Sequence, residues 1–352
     1  MTLMLSPGSD NMSVKRFGRQ TVRFGKSPVI ASVGSVAGRK EQEGPLGHCF
    51  DRTSRDSYFG QKSWEKAESF MQSKALETAC GKIDMPVDSL DYIFAGDLLN
   101  QCCASAFAMR GVGAPFFGLY GACSTFCEAL SLASMSIDGG FADTAAAVTS
   151  SHFCGAERQF RLPLEYGGQR TPTAQWTATA AGAAILREEG NGPRITAVTT
   201  GIIRDAGITD ANDMGAAMAP AAFDTLTAHF RDLGVGPESY DLIATGDLGK
   251  HGYDILLELF AKSGVDASRV LDDCGMMLFS REKQDVHAGA SGCGCSASVF
   301  CGYIYDGLMT GKWKNVLLAS TGALMSPTTS AQGESIPGIC HAVAISAQKE
   351  TS

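Results

Sequence analysis

The feature that most limits what this chain can fold into is an internal duplication. Moving Cys123-Ser124 onto Cys295-Ser296, a shift of 172, brings Gly139 onto Gly311, Phe141 onto Trp313, Asp143 onto Asn315 and Ala145–Thr149 onto Leu317–Thr321. Each copy reads as a glycine turn, a helix, a Gly-aromatic link and a buried strand. Upstream, LDYIFAGDL (Leu90–Leu98) pairs with YDLIATGDL (Tyr240–Leu248), and both runs follow an amphipathic helix. Trp64, Ala67, Phe70, Met71 and Leu76 mark the first helix, and Ala222, Leu226, Phe230 and Leu233 the second, each at roughly the α-helical period. Two related α/β halves packed as one layered body about a pseudo-twofold axis are expected, with sites at strand ends near that axis. The halves are expected at residues 16–190 and 191–352, behind a flexible stretch at 1–15.

Composition narrows the classes. A chain of 352 residues, 44% hydrophobic and 19% charged, can bury a substantial core. A net charge of −8 and a pI near 5.3 argue against a general nucleic-acid binder. No N-terminal segment combines a basic start, an apolar run and a cleavage site. The longest uncharged windows, such as Ala288–Tyr305, are too rich in Gly, Ser and Cys for a membrane span. A soluble or peripheral protein is expected. Twelve cysteines without a secretory signal point to a reducing compartment. Their spacing does not match a zinc site, so neither a metal nor another cofactor is expected.

The chain is organised around Tyr120–His152. Gly121 permits a tight corner, and Cys123 is placed where a helix begins, so unpaired N–H groups and the helix dipole are expected to favour its thiolate. A buried structural cysteine is the alternative. The charged loop Ala37–Gly47 reads as a solvated turn. Asn100–Arg110 reads as a helix, and Met214–Pro220 as the approach to the second half's helix. After His152 comes FCGAERQFR, then PLEYGGQ, an unusual mix of aromatic and ionic groups beside the presumed site. It reads either as an anion contact or as an ion-paired surface loop.

The runs GPLGHCFD (Gly44–Asp51), AGDLLNQ (Ala95–Gln101), GACST (Gly121–Thr125), DGGFADTAAAVTSSH (Asp138–His152) and AERQFRLPLEYGGQ (Ala156–Gln169) resemble the stage V sporulation protein AD family. So do GITDANDMGAAMAPAA (Gly207–Ala222), TGDL (Thr245–Leu248), SGCGCSAS (Ser291–Ser298) and STGALMSPT (Ser320–Thr328). The resemblance covers almost the whole chain from about Lys15. It implies a thiolase-like α/β fold of duplicated halves related to the ketoacyl synthase III enzymes, and a homodimer. It also implies a role in endospore formation: binding dipicolinic acid (pyridine-2,6-dicarboxylate) during its movement with calcium into the forespore, and taking part in its release at germination. Membrane proteins of the same operon are the implied partners. The implied place is peripheral, on the cytoplasmic side of the forespore and spore inner membrane.

Carried over by motif, the enzymes' nucleophile falls on Cys123. Asp247 takes the place of their histidine and Cys293 that of their asparagine. A carboxylate there would repel a developing oxyanion, which argues against condensation chemistry. His251, four residues past Asp247, keeps a ketoacyl synthase III-like acyltransferase using Cys123 open as the alternative. A site holding dipicolinate would draw on the helix tip at Cys123, on Arg158 or Arg161, on Phe153, Phe160 or Tyr166, and on His152. Asp97 and Asp247 would either coordinate the calcium of the chelate or cap the helices after their corners.

Overall fold

The computed structural model describes residues 15–160 and 169–347. The flexible stretch expected at 1–15 lies outside the described residues except for Lys15, as do Arg161 and Tyr166.

Ten strands carry the architecture. In the first half these are β1 (Val29–Ala37), β2 (Tyr92–Gly96), β3 (Phe116–Leu119), β4 (Thr144–Ser151) and β5 (Ala180–Arg187). In the second they are β6 (Arg194–Thr199), β7 (Leu242–Thr245), β8 (Leu271–Asp273), β9 (Asn315–Ala323) and β10 (Gly338–Ser346). Their order across the sheet is β8-β7-β9-β10-β6-β1-β5-β4-β2-β3, the same sequence of strands read outward from the middle in each half. Within each half the first three strands out from the middle pair antiparallel and the last three pair parallel. The halves meet where Val29 of β1 pairs with Arg194 of β6, and the short strand Thr21–Arg23 of the first half also pairs antiparallel with β6 at Ala197–Thr199.

Helices cover both faces. Helix α1 (Trp64–Gly81) packs on β1, β5 and β4, with α2 (Cys103–Met109) beside it; α5 (Met214–Leu233) packs on β9 and β10, with α6 (Gly249–Lys262) beside it. Between the halves lie α3 (Thr125–Asp138), which touches β4 and β2 on one side and β9 and β10 on the other, and α7 (Cys293–Val299), which packs on β4 and β5. Strands covered on both faces should read as unbroken apolar runs. Residues 145–148 and 180–186 do, being mostly alanine and fully buried. The small side chains let α7 come close: a Cβ on Gly182 would lie 2.5 Å from the Ala297 carbonyl oxygen.

Local differences from the sequence reading have physical causes. Helix α5 begins at Met214 because the Asp213 carboxylate accepts from the Ala216 N–H, and the approach segment, Pro220 included, is already helical. The segment after His152 is a helix, α4 (Phe153–Phe160). Residues Asn100–Cys102 form a 3-10 turn with left-handed Gln101 and Cys102, so only Cys103–Met109 is α-helical. In the charged loop Glu41 is buried, its carboxylate accepting from the Thr179 N–H at 2.9 Å. Among the described residues no helix is long and apolar enough to cross a membrane.

Candidate functional site

Cys123 is mounted on the corner between β3 and α3. The left-handed residue of the corner is Ala122 (φ 50°), not Gly121. Gly121 is needed for space, since a Cβ there would lie 2.6 Å from Glu128 Oε2 and 2.7 Å from Ser124 Oγ. The corner satisfies its own backbone: Ser124 N–H donates to the Gly121 carbonyl, Thr125 N–H to that of Ala122, and Thr125 Oγ1 accepts from Gly121 N–H at 3.0 Å.

The expected thiolate is therefore corrected. Cys123 is 5% exposed. Burial first, and the Asp247 carboxylate second, hold its pKa well above the usual thiol range. Asp247, itself buried, accepts from Thr321 Oγ1 at 2.7 Å, Gly292 N–H at 3.0 Å and Ser291 Oγ at 3.2 Å. Ser291 Oγ lies 3.8 Å from the Cys123 sulfur, so one hydroxyl joins thiol and carboxylate. Burial raises the pKa of Asp247 too. Cys293 belongs to the same small apolar cluster as Cys123, Leu98 and Ala156, and donates to the Ser150 carbonyl at 3.0 Å. Burial, then the nearby Cys123, pushes its thiol far up.

A cavity with about 40 Å³ of solvent-accessible volume opens over Cys123. Leu98, Ala156, Phe160, Met214 and Met325 form its apolar wall. Tyr120, Thr177 and Ser291 bring hydroxyls, and Tyr120 reaches the surface at 43% exposure. Among its described lining residues there is no lysine, arginine, histidine or asparagine.

The other expected residues are placed elsewhere. His152 is buried and fully engaged: its Nδ1 accepts from Cys154 N–H at 3.2 Å, which leaves Nε2–H to donate to the Ser57 carbonyl at 2.8 Å. Burial lowers its pKa. Arg158 is half exposed, pairs with Glu65 and lies over the Trp64 ring, away from the cavity. His251 stands on the outer side of α6, 3.5 Å from Asp213, and is not part of the site. Asp97 accepts from Leu99 N–H, Ser105 N–H and Ser105 Oγ at 2.6 to 2.9 Å, so it caps the turn into α2. Asp247 does not cap its own helix. Asp273 accepts from Leu248 and Gly249 N–H instead, and Asp247 holds the start of α7. Both carboxylates therefore serve hydrogen bonds within the fold, and among the described residues no group of three or more His, Cys, Asp or Glu is placed to hold a metal ion. Sequence reasoning missed Ser291, Thr321 and Asp273. The duplication carried a signal for one of them, since Thr321 is the twin of Thr149, whose hydroxyl donates to the Cys293 carbonyl.

Duplicated α/β halves with the same strand order and a cysteine corner at their junction define a thiolase-like protein. Solved structures agree. A 3-oxoacyl-[acyl-carrier-protein] synthase III from Aquifex aeolicus VF5 is 12% identical, with a TM-score of 0.57 over 91% of this chain and 99% of that one. A variant of Xanthomonas campestris OleA is 13% identical, with a TM-score of 0.59 over 97% of this chain and 100% of that one. Within that fold, the sequence profile of stage V sporulation protein AD matches residues 18–346. Stage V sporulation protein AD of Bacillus subtilis (strain 168) is 44% identical over 330 residues, 94% of this chain and 97% of that protein. The chain belongs to the stage V sporulation protein AD family.

Proposed function

We propose that this sporulation protein holds dipicolinic acid without transforming it, and that the cavity over Cys123 takes it as the calcium chelate. One observation carries the reading: burial and the neighbouring Asp247 charge hold the thiol protonated, and no histidine or lysine among the described lining residues is placed to activate it as a nucleophile. The chemistry of the lining selects the form of the cargo. Free dipicolinate is a dianion and meets hydroxyls and apolar walls with Asp247 close behind; its calcium chelate is neutral and escapes that repulsion. The ring needs more room than the present cavity offers, and the unbranched side chains of Met214 and Met325 are the adjustable wall. The same reading assigns the protein to uptake into the developing spore and release at germination. It acts peripherally at the cytoplasmic side of the inner membrane, as a homodimer beside membrane proteins of its operon.

Calorimetric titration tests this with dipicolinate, with and without calcium, on the full chain and on Ala156→Phe, which fills the cavity. Saturable heat that depends on calcium and disappears in the variant supports the reading; no saturable heat with either form of the ligand sinks it. Incubation with acyl-CoA thioesters followed by intact mass is the complementary arm. A stable acyl adduct on Cys123 would establish the acyltransferase alternative.

A further inference from the structure

A second polar centre lies outside the cavity, around Trp176. The Phe153 ring stacks on the indole with centroids 3.6 Å apart and planes at 6°. Lys40 Nζ is 3.4 Å from the same centroid, so it must cover the opposite face. The Arg170 guanidinium carbon is 4.7 Å away. Two cations therefore share one ring, and burial together with Arg170 lowers the pKa of Lys40. Among the described residues the carboxylate paired with Arg170 is Asp285, which is 77% exposed, accepts from Arg170 Nη2 at 3.0 Å and also faces His287 Nε2 at 3.1 Å. Lys40 Nζ reaches only the Asp285 backbone carbonyl, at 2.9 Å. Glu43 is taken by Arg39, and Glu41 points inward to Thr179. Arg170 Nη1 is buried and has no hydrogen-bond partner among the described residues. An orphaned guanidinium donor beside an ammonium that is bonded to a carbonyl and to no carboxylate is a costly arrangement for a surface lock, and a suitable one for receiving an oxyanion.

We propose that Lys40 and Arg170, held on Trp176, form a binding site for a small oxyanion, a carboxylate or phosphate group, for which exposed Asp285 is the exchangeable internal stand-in. Both faces of the indole are occupied, so the site recognises the charged group and not an attached ring. It goes beyond the cavity reading and does not depend on it.

The test is titration of the full chain at constant ionic strength with inorganic phosphate, with acetate and with dipicolinate, followed by tryptophan emission and calorimetry. The expected result is a saturable change in emission that is absent in Trp176→Phe, with affinity falling at least about tenfold in both Arg170→Gln and Lys40→Gln. Phosphate acting alone identifies a phosphate site, and the carboxylates acting alone a carboxylate site. Asp285→Asn separates a receptor from a lock: a receptor gains affinity several-fold when its stand-in is removed, whereas a lock only loses thermal stability. The Trp176-dependent emission change is the same in Ala156→Phe as in the wild type, even where that variant abolishes dipicolinate binding in the cavity. No response to any of the three anions, or equal affinity in wild type and Lys40→Gln, overturns the proposal.

Discussion

A thiol that attacks must lose its proton readily, and Cys123 is placed where losing it is hard. Desolvation does most of this and Asp247 adds to it, so the two effects can be separated by substitution. Removing the charge in Asp247→Asn should speed iodoacetamide labelling of Cys123 by about tenfold, the effect of roughly one pKa unit on the thiolate fraction. Peptide-level mass spectrometry reads it apart from the more exposed Cys49, Cys102, Cys103 and Cys154; an unchanged rate would show that the carboxylate does not govern the thiol. The same carboxylate sets a pH dependence for ligand. Its pKa is already raised, and a free dianion brought near would raise it further, so binding takes up a proton. Affinity for dipicolinate without calcium should therefore rise as pH falls toward the raised pKa of Asp247, while that for the neutral chelate stays flat. Calorimetry in buffers of different ionisation enthalpy would count the proton directly.

At the level of elements, close approach is what the small residues provide. A Cβ on Gly182 meets the α7 backbone at 2.5 Å, so Gly182→Ala should push helix from strand and cost about 1 to 3 kcal/mol, read by urea unfolding. The short segment at Arg39–Gln42 carries a different signature. Burial raises the Glu41 carboxyl from 4.5 to about 7. The folded state thus keeps a proton that the unfolded chain has lost, and the contribution is fully present below 4.5 and lost as pH rises to about 7. Glu41→Gln should remove a decline of up to about 3 kcal/mol across that window, seen as the difference in thermal stability between wild type and variant. The strands and the major helices were legible in the sequence because doubly covered strands and amphipathic helices write themselves as apolar runs and 3.6-residue stripes. The burial of Glu41 was not, since a charged loop carries no mark of the strand it will bond to. Nor was the role of Asp273, 26 residues beyond Asp247 in sequence and joined to the same corner only by the parallel pairing of β7 and β8. The cysteine corner was readable as a position, but its thiolate was not, because that depends on which donors the turn uses up.

At the scale of the whole molecule, duplication supplies matched frames in which equivalent residues take different work. Asp97 and Asp247 end equivalent strands, yet one closes its own turn while the other crosses to Ser291 and α7. Thr149 and Thr321 are twins, and each reaches toward the junction where the cavity lies. The frame leaves β3 at one end of the strand order with no outer neighbour. That strand carries Phe116 and Phe117, 37% and 50% exposed, and Phe117 stacks on Phe94 with centroids 5.1 Å apart. A short, flat, aromatic edge without a charge in it lacks the usual defences against pairing. The expected homodimer would use it, two β3 strands joining across a twofold axis so that each covers the other's phenylalanines. Sedimentation at micromolar concentration should then give twice the 37.0 kDa chain mass for the wild type. Phe117→Lys, which puts a charge on the edge and removes one ring from the face of the buried Phe94, should sediment as the single chain with its fold intact by circular dichroism. A wild type that stays monomeric at tens of micromolar, or a Phe117→Lys variant that stays dimeric, would move the interface away from this edge.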